Sequence, residues 1–275
     1  DTDTDTDTDT ETPALSSGNP AEGLIADDLT LRPMQPIAKP AYLETIIDPS
    51  FGTTIRRITE AGDGKVIKPM YSTIQAWNAD ETMMILYDQG NGVHRLLNGH
   101  TYAYIRNLDD VRPDDIEQLF WDYQNPDHLY YVDRGTSELI RYAVSSGNKQ
   151  VLANLATVAA CADVSLGNDV QMMSYDSDVF GFRCGNDAAF SYRISTAELT
   201  TFTMSDVSYV APMPSSSGKL YFHNTTVYGE DGIVLRELNK NKPEHESLGM
   251  LGNGNDALFS VEFSAGPQGG CDGNI

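Results

Sequence analysis

Among the side chains able to carry acid–base or metal chemistry, His245 is the strongest candidate. Imidazole changes charge near neutral pH, so it serves as a general base or a metal ligand. Tyr71 can stack on or hydrogen-bond a sugar, and Asp115 can accept from hydroxyls. These three stand out because each lies six residues before an apolar anchor of a recurring pattern. The same offset also selects Gly167 and Val207, which carry no such chemistry. The structural alternative for all three is that they satisfy backbone groups of their own loops. The other histidines are weaker candidates. His94 and His100 flank a hairpin sequence, His128 sits in a polar turn, and His223 ends an apolar run. Arg183, Arg193 and Arg236 can neutralise a carboxylate, although an arginine on an outer strand is more often a solvated or paired surface charge. No nucleophile elbow, Cys-x-x-Cys, His-Glu-x-x-His or phosphate-loop motif occurs. These residues leave the cofactor open. Asn224-Thr-Thr226 matches a glycan acceptor, a motif that matters only in a glycosylating host.

The elements that must position these residues come from a repeat. An apolar anchor, a few turn residues and a strand-like apolar run recur with anchors at Trp77, Trp121, Met173, Met213 and Leu251, spaced by 44, 52, 40 and 38 residues. Four short strands with their turns need about 40–45 residues, the period of a β-propeller blade. The fold expected is all-β, a propeller of four-stranded blades with about five represented. Repeats are expected near 71–108, 115–155, 163–204 and 207–244, with a fifth from His245. The five anchors are expected at equivalent places in successive blades. Thr53–Thr59 reads as a strand that would supply the outer edge of the last blade. In such a ring the positions six before each anchor would meet at the mouth of the central channel.

Composition narrows the partners. Forty acidic against eighteen basic residues give a net charge of -22 in 275 residues. That surface repels phosphate backbones and anionic membranes, so nucleic acid is excluded as a partner. No apolar run is long enough for a transmembrane segment. Fourteen tyrosines and nine phenylalanines suit strands. Most tyrosines at strand spacing should pack between blades, and Trp77 and Trp121 read as core anchors.

The segment 1–30 opens on five Asp-Thr repeats and reads as an extended, disordered acidic tether whose deletion should leave the thermal midpoint unchanged. Its alternating carboxylates lack the glycine and the glutamate of a calcium loop, with Thr6 and Thr12 in those places. Residues 31–52 read as a Pro-rich linker, and 53–275 as the propeller, C-terminally incomplete. The start within a low-complexity tract reads as that of a processed or trimmed chain. Cys161 can pair with Cys184 across neighbouring strands, leaving Cys271 odd; three unpaired buried thiols are the alternative.

The residues Ile58-Thr59, Tyr71, Trp77-Asn-Ala-Asp80 and Met84-Ile-Leu86 resemble the repeats of TolB-type propellers and of oligogalacturonate lyases. There a strand ending in Arg-[Leu/Ile]-Thr leads to Trp-Ser-Pro-Asp-Gly and an apolar strand. The resemblance covers about residues 53–263 at the level of repeats. It implies a propeller fold and an exported protein. For the lyases it further implies a His/Gln metal cluster late in the chain, which this sequence does not match: His223 and His245 stand 22 residues apart. Three functions follow as expectations. The first is an exported, surface-tethered binding module for polysaccharide or protein, extracellular or periplasmic, with Tyr71, Asp115 and His245 as ligand contacts. The second is a lyase performing β-elimination on uronic-acid polymers, with His245 as the base. The third is a structural subunit of an extracellular assembly, joined to another protein through exposed strand edges.

Overall fold

The computed structural model describes residues 33–167, 172–186, 188–204, 211–238 and 243–262, with backbone alone at 243–245 and 260–262. The 1–30 tether, Val207 and Cys271 lie outside the described residues.

A hairpin of β1 (Thr45–Ile47) and β2 (Thr54–Arg56) comes first. Four antiparallel four-stranded sheets follow. Blade one contains β3 (Ile67–Lys68), β4 (Met83–Asp88), β5 (Val93–Asn98) and β6 (Tyr104–Asn107). Blade two contains β7 (Phe120–Trp121), β8 (His128–Asp133), β9 (Glu138–Ala143) and β10 (Asn148–Asn154), and a one-turn helix α1 (Leu155–Val158) leads out of it. Blade three contains β11 (Val164–Ser165), β12 (Val179–Cys184), β13 (Ala188–Arg193) and β14 (Glu198–Phe202). Blade four contains β15 (Met213–Pro214), β16 (Leu220–His223), β17 (Thr226–Gly229) and β18 (Val234–Glu237). A last pair, β19 (Pro243–Met250) and β20 (Asp256–Glu262), completes the described strands.

Each blade is a meander of neighbouring strands, the simplest path for a chain with a turn signal every few residues. The turns are set by local side chains. At the β4–β5 turn, Asp88 Oδ1 accepts from the N–H groups of Gly90 and Asn91, and Gly92 adopts φ +67°, a conformation that glycine takes without steric penalty. Asp133 repeats the device at the β8–β9 turn by accepting from Gly135 N–H. The middle strands are buried on both faces, as in β8, where Leu129 to Asp133 are all buried, because each sheet is sandwiched between neighbours. The outer strands are wetter, and all four residues of β18 are exposed.

Aromatic rings join the blades. Tyr130 meets Phe180 at 5.2 Å, and Phe202 meets Tyr221 edge-on at 4.8 Å. The Trp121 indole N–H donates to Ala76 O of the blade-one repeat at 3.0 Å. Gly181 of β12 lies so close to the chain entering blade four that an added Cβ would sit 1.7 Å from Pro212 O.

Register defines the anchors. Trp77 pairs with Met84, Trp121 with Leu129, and Met173 with Phe180. In each case the next residue donates its N–H just ahead of the partner: Asn78 to Met83 O, Asp122 to His128 O, and Ser174 to Val179 O. These three anchors are equivalent. In blade four the matching residue is Pro214, paired with Tyr221, and in the last pair it is Met250, opposite Asp256. Met213 and Leu251 are therefore each displaced by one position, in opposite directions. Matching residue types along a strand does not sense register, and a one-residue slip exchanges the two faces.

The strand expected at Thr53–Thr59 is realised as β2, and its described partner is β1 rather than the edge of a blade. β1 itself falls inside the 31–52 segment. Cys161, in the loop after α1, is joined to Cys184 at the end of β12 by a disulfide, with Cα atoms 5.8 Å apart. Among the described residues no helix is long and apolar enough to cross a membrane.

Candidate functional site

The turns between first and second strands form a hydrogen-bonded succession from blade to blade. Asn78 Nδ2 donates to Pro126 O at 3.0 Å, and Gln124 Nε2 to Tyr175 O at 3.3 Å. Tyr175 N–H donates to Ser216 O at 2.9 Å. Ser217 then donates through its N–H and its hydroxyl to the Asp256 carboxylate. This last link puts the β19–β20 turn in line with the four before it, so β19–β20 is the inner pair of a fifth blade.

The residue after each of the first three anchors, and after Pro214, shapes its turn. Asn78 Oδ1 accepts from Met83 N–H, Ser174 Oγ from Val179 N–H and Ser215 Oγ from Leu220 N–H. Asp122 Oδ1 accepts from Gln124 and Asn125 N–H while Oδ2 takes the Tyr130 hydroxyl at 2.9 Å. These polar groups are committed to holding the rim.

Inside the rim lie two adjoining cavities. The first, of about 510 Å³, is walled by Thr73, Tyr123, Met173, Tyr175, Met213 and Ser216 of the four blade repeats and by the Glu246–Leu251 stretch of β19 and its turn. The second, of about 460 Å³, shares Thr73, Tyr123, Ser247 and Leu248 with the first and adds Trp77, Asn78, Glu81, Trp121 and Asp122. Tyr123 and Tyr175 stack at 5.4 Å with 26° between their planes. Burial, with the neighbouring Tyr175, pushes the Tyr123 phenol well above its ordinary range, so it remains a neutral hydrogen-bonding group. The charged residues of the two walls are Glu81, Asp122 and Glu246; among the described wall residues there is no Lys, Arg or His. Such a site can bind by apolar contact, stacking and hydroxyl hydrogen bonds.

The residues selected from sequence fall around these cavities rather than together in their walls. Tyr71 is half-buried against the main core, its carbonyl accepts from Ile74 N–H, and it directly precedes the wall residues Ser72 and Thr73. Asp115 is half-buried in the turn leading to β7, where Oδ1 accepts from Glu117 N–H and its carbonyl from Gln118 N–H. It lines neither cavity. His245 lies in β19 directly before the wall residue Glu246; its side chain is outside the described residues. Tyr123, Tyr175 and β19 itself were missed. The signal was present in the turn sequences after Trp121 and Met173, since a rim aromatic recurs there at Tyr123 and Tyr175. Among the described residues no group of three or more His, Cys, Asp or Glu is placed to hold a metal ion.

The fold and the channel-end cavity define a β-propeller, with four complete blades and the inner pair of a fifth described. No protein-family model matches the chain, and no curated protein matches it in sequence. Solved structures match in fold. An oligogalacturonate lyase from Vibrio parahaemolyticus is similar at a TM-score of 0.54 and 16% identity, over 75% of this chain and 61% of that one. An oligogalacturonate lyase in complex with manganese is similar at 0.55 and 15%, over 80% of this chain and 69% of that one.

 

TolB from Acinetobacter baumannii matches at a TM-score of 0.45 and 14% identity, over 78% of this chain and 55% of that one. The chain spans 61% of the length of the Vibrio lyase. At these identities the likeness is one of fold.

Proposed function

We propose that the chain is an exported β-propeller that works as a binding module, held at a cell surface or in the periplasm by its acidic N-terminal segment. Its ligand, a polysaccharide or a protein, enters the turn-lined end of the channel. The observation that carries this reading is the pair of adjoining cavities where the four blades and β19 converge. Tyr71 and His245, each one residue from the cavity walls, are proposed as flanking contacts, and Asp115 as a contact further out. The Cys161–Cys184 disulfide supports an oxidising compartment.

The lyase is the second reading, favoured by the fold shared with two oligogalacturonate lyases. β-Elimination next to a uronate needs a cation or a metal to neutralise the carboxylate and acidify the α-proton. The test is incubation with polygalacturonate, read by absorbance of unsaturated uronates, alongside calorimetric titration with oligosaccharides and peptides. Binding without absorbance supports the module. Turnover that His245→Ala abolishes establishes the lyase.

A further inference from the structure

Resting on the binding-module reading, we infer that the two cavities together take a basic segment of a partner protein, with an apolar side chain in the first cavity and a neighbouring Lys or Arg in the second. The two differ in chemistry. The first has an apolar floor of Met173, Met213 and Leu248 beside the stacked Tyr123 and Tyr175. Methionine and tyrosine adapt to varied apolar side chains while keeping contact area. The second has the exposed Glu81 and the half-buried Trp77 in its wall. A carboxylate beside an indole suits a cation, which gains from both the charge and the ring face. The shared walls make the cavities continuous, so adjacent residues of one extended segment can fill both.

Charge selects the occupant. The chain carries a net charge of -22, and Glu81 adds an exposed carboxylate at the second cavity. A polyanion would meet repulsion at long range, whereas a basic segment is steered in. β19 adds a backbone element: its described partner is β20 alone, and the Glu246–Met250 part of the strand runs along the first cavity. An extended segment can hydrogen-bond along such a strand.

The experiment uses the full chain on an array of extended hexapeptides whose two central positions run through all pairs of amino acids. The strongest binder is then titrated in solution at rising salt. The expected binders join Leu, Met or an aromatic residue to Arg or Lys, and salt weakens them. Glu81→Gln should weaken the titrated peptide roughly threefold, and Tyr175→Ser roughly tenfold. Both side chains are exposed, so both variants should fold, which circular dichroism verifies. Binders lacking a basic residue, indifference to both substitutions, or competition by a neutral oligosaccharide would overturn the inference and leave the module standing. Turnover of polygalacturonate, or no binding of any peptide or oligosaccharide, would overturn both.

Discussion

Asp256 grips Ser217 at two points: Oδ1 accepts from the Ser217 backbone N–H at 2.8 Å and Oδ2 from its hydroxyl at 2.6 Å. Ser217 belongs to the first turn of blade four and Asp256 opens β20, so this contact ties the last strand pair to the four blades. It also bears on the site, because β19 forms one wall of the first cavity. Asp256→Ala should lose about 1.5–3 kcal/mol, the range for a hydrogen bond to a charged group. Hydrogen exchange checks it: amides of β19 and β20 should exchange faster while those of β8 and β12 keep their protection.

Trp121 acts as packing and as a link between blades. Trp121→Phe should cost about 1 kcal/mol, since Ala76 O loses the indole donor but retains the Ile85 N–H. Trp121→Ala should cost about 3–5 kcal/mol, because a fully buried ring is removed. Urea unfolding of the two variants separates the two contributions.

Gly181 is where blade three meets the chain entering blade four. Gly181→Ala places a Cβ at 1.7 Å from Pro212 O, against backbone that must move. A loss of at least about 1–3 kcal/mol is expected, read as a lower thermal midpoint. A neutral effect would show that the two blades are not rigidly apposed.

The Cys161–Cys184 disulfide closes a loop with a sequence separation of 23. In the chain-entropy account a loop of that size stabilises by about 3 kcal/mol. Denaturant midpoints with and without a reductant, compared with Cys161→Ser/Cys184→Ser, measure it. The double variant should match the reduced protein and be indifferent to reductant.

His94 should make stability depend on pH. Burial pushes its imidazole below the ordinary 6.5, against the opposing pull of Ile116 O, 3.0 Å from Nε2. The unfolded chain therefore takes up this proton at a higher pH than the folded one. The contribution is complete above about 6.5 and is lost as pH falls from there through the lower folded value. His94→Phe, which keeps a ring beside Tyr87, should flatten that part of a denaturation profile.

The sequence by itself determined the blade. Apolar runs after Trp77, Trp121 and Met173, each following a polar turn, specify a strand, its turn and its buried face, because both alternation and turn chemistry are local. It also determined the acidity of the surface. Register was decided in three dimensions: Pro214 and Met250 take the anchor places that residue type alone assigned to Met213 and Leu251, since cross-strand hydrogen bonds, not composition, fix which residues stand opposite. The cavity walls were decided there too. Tyr123 and Tyr175 stand 52 residues apart in sequence and stack only because successive blades bring their turns side by side. An offset counted along the chain reached Tyr71 and His245, one residue short of the walls, because strands and turns of unequal length shift each blade's path to the channel.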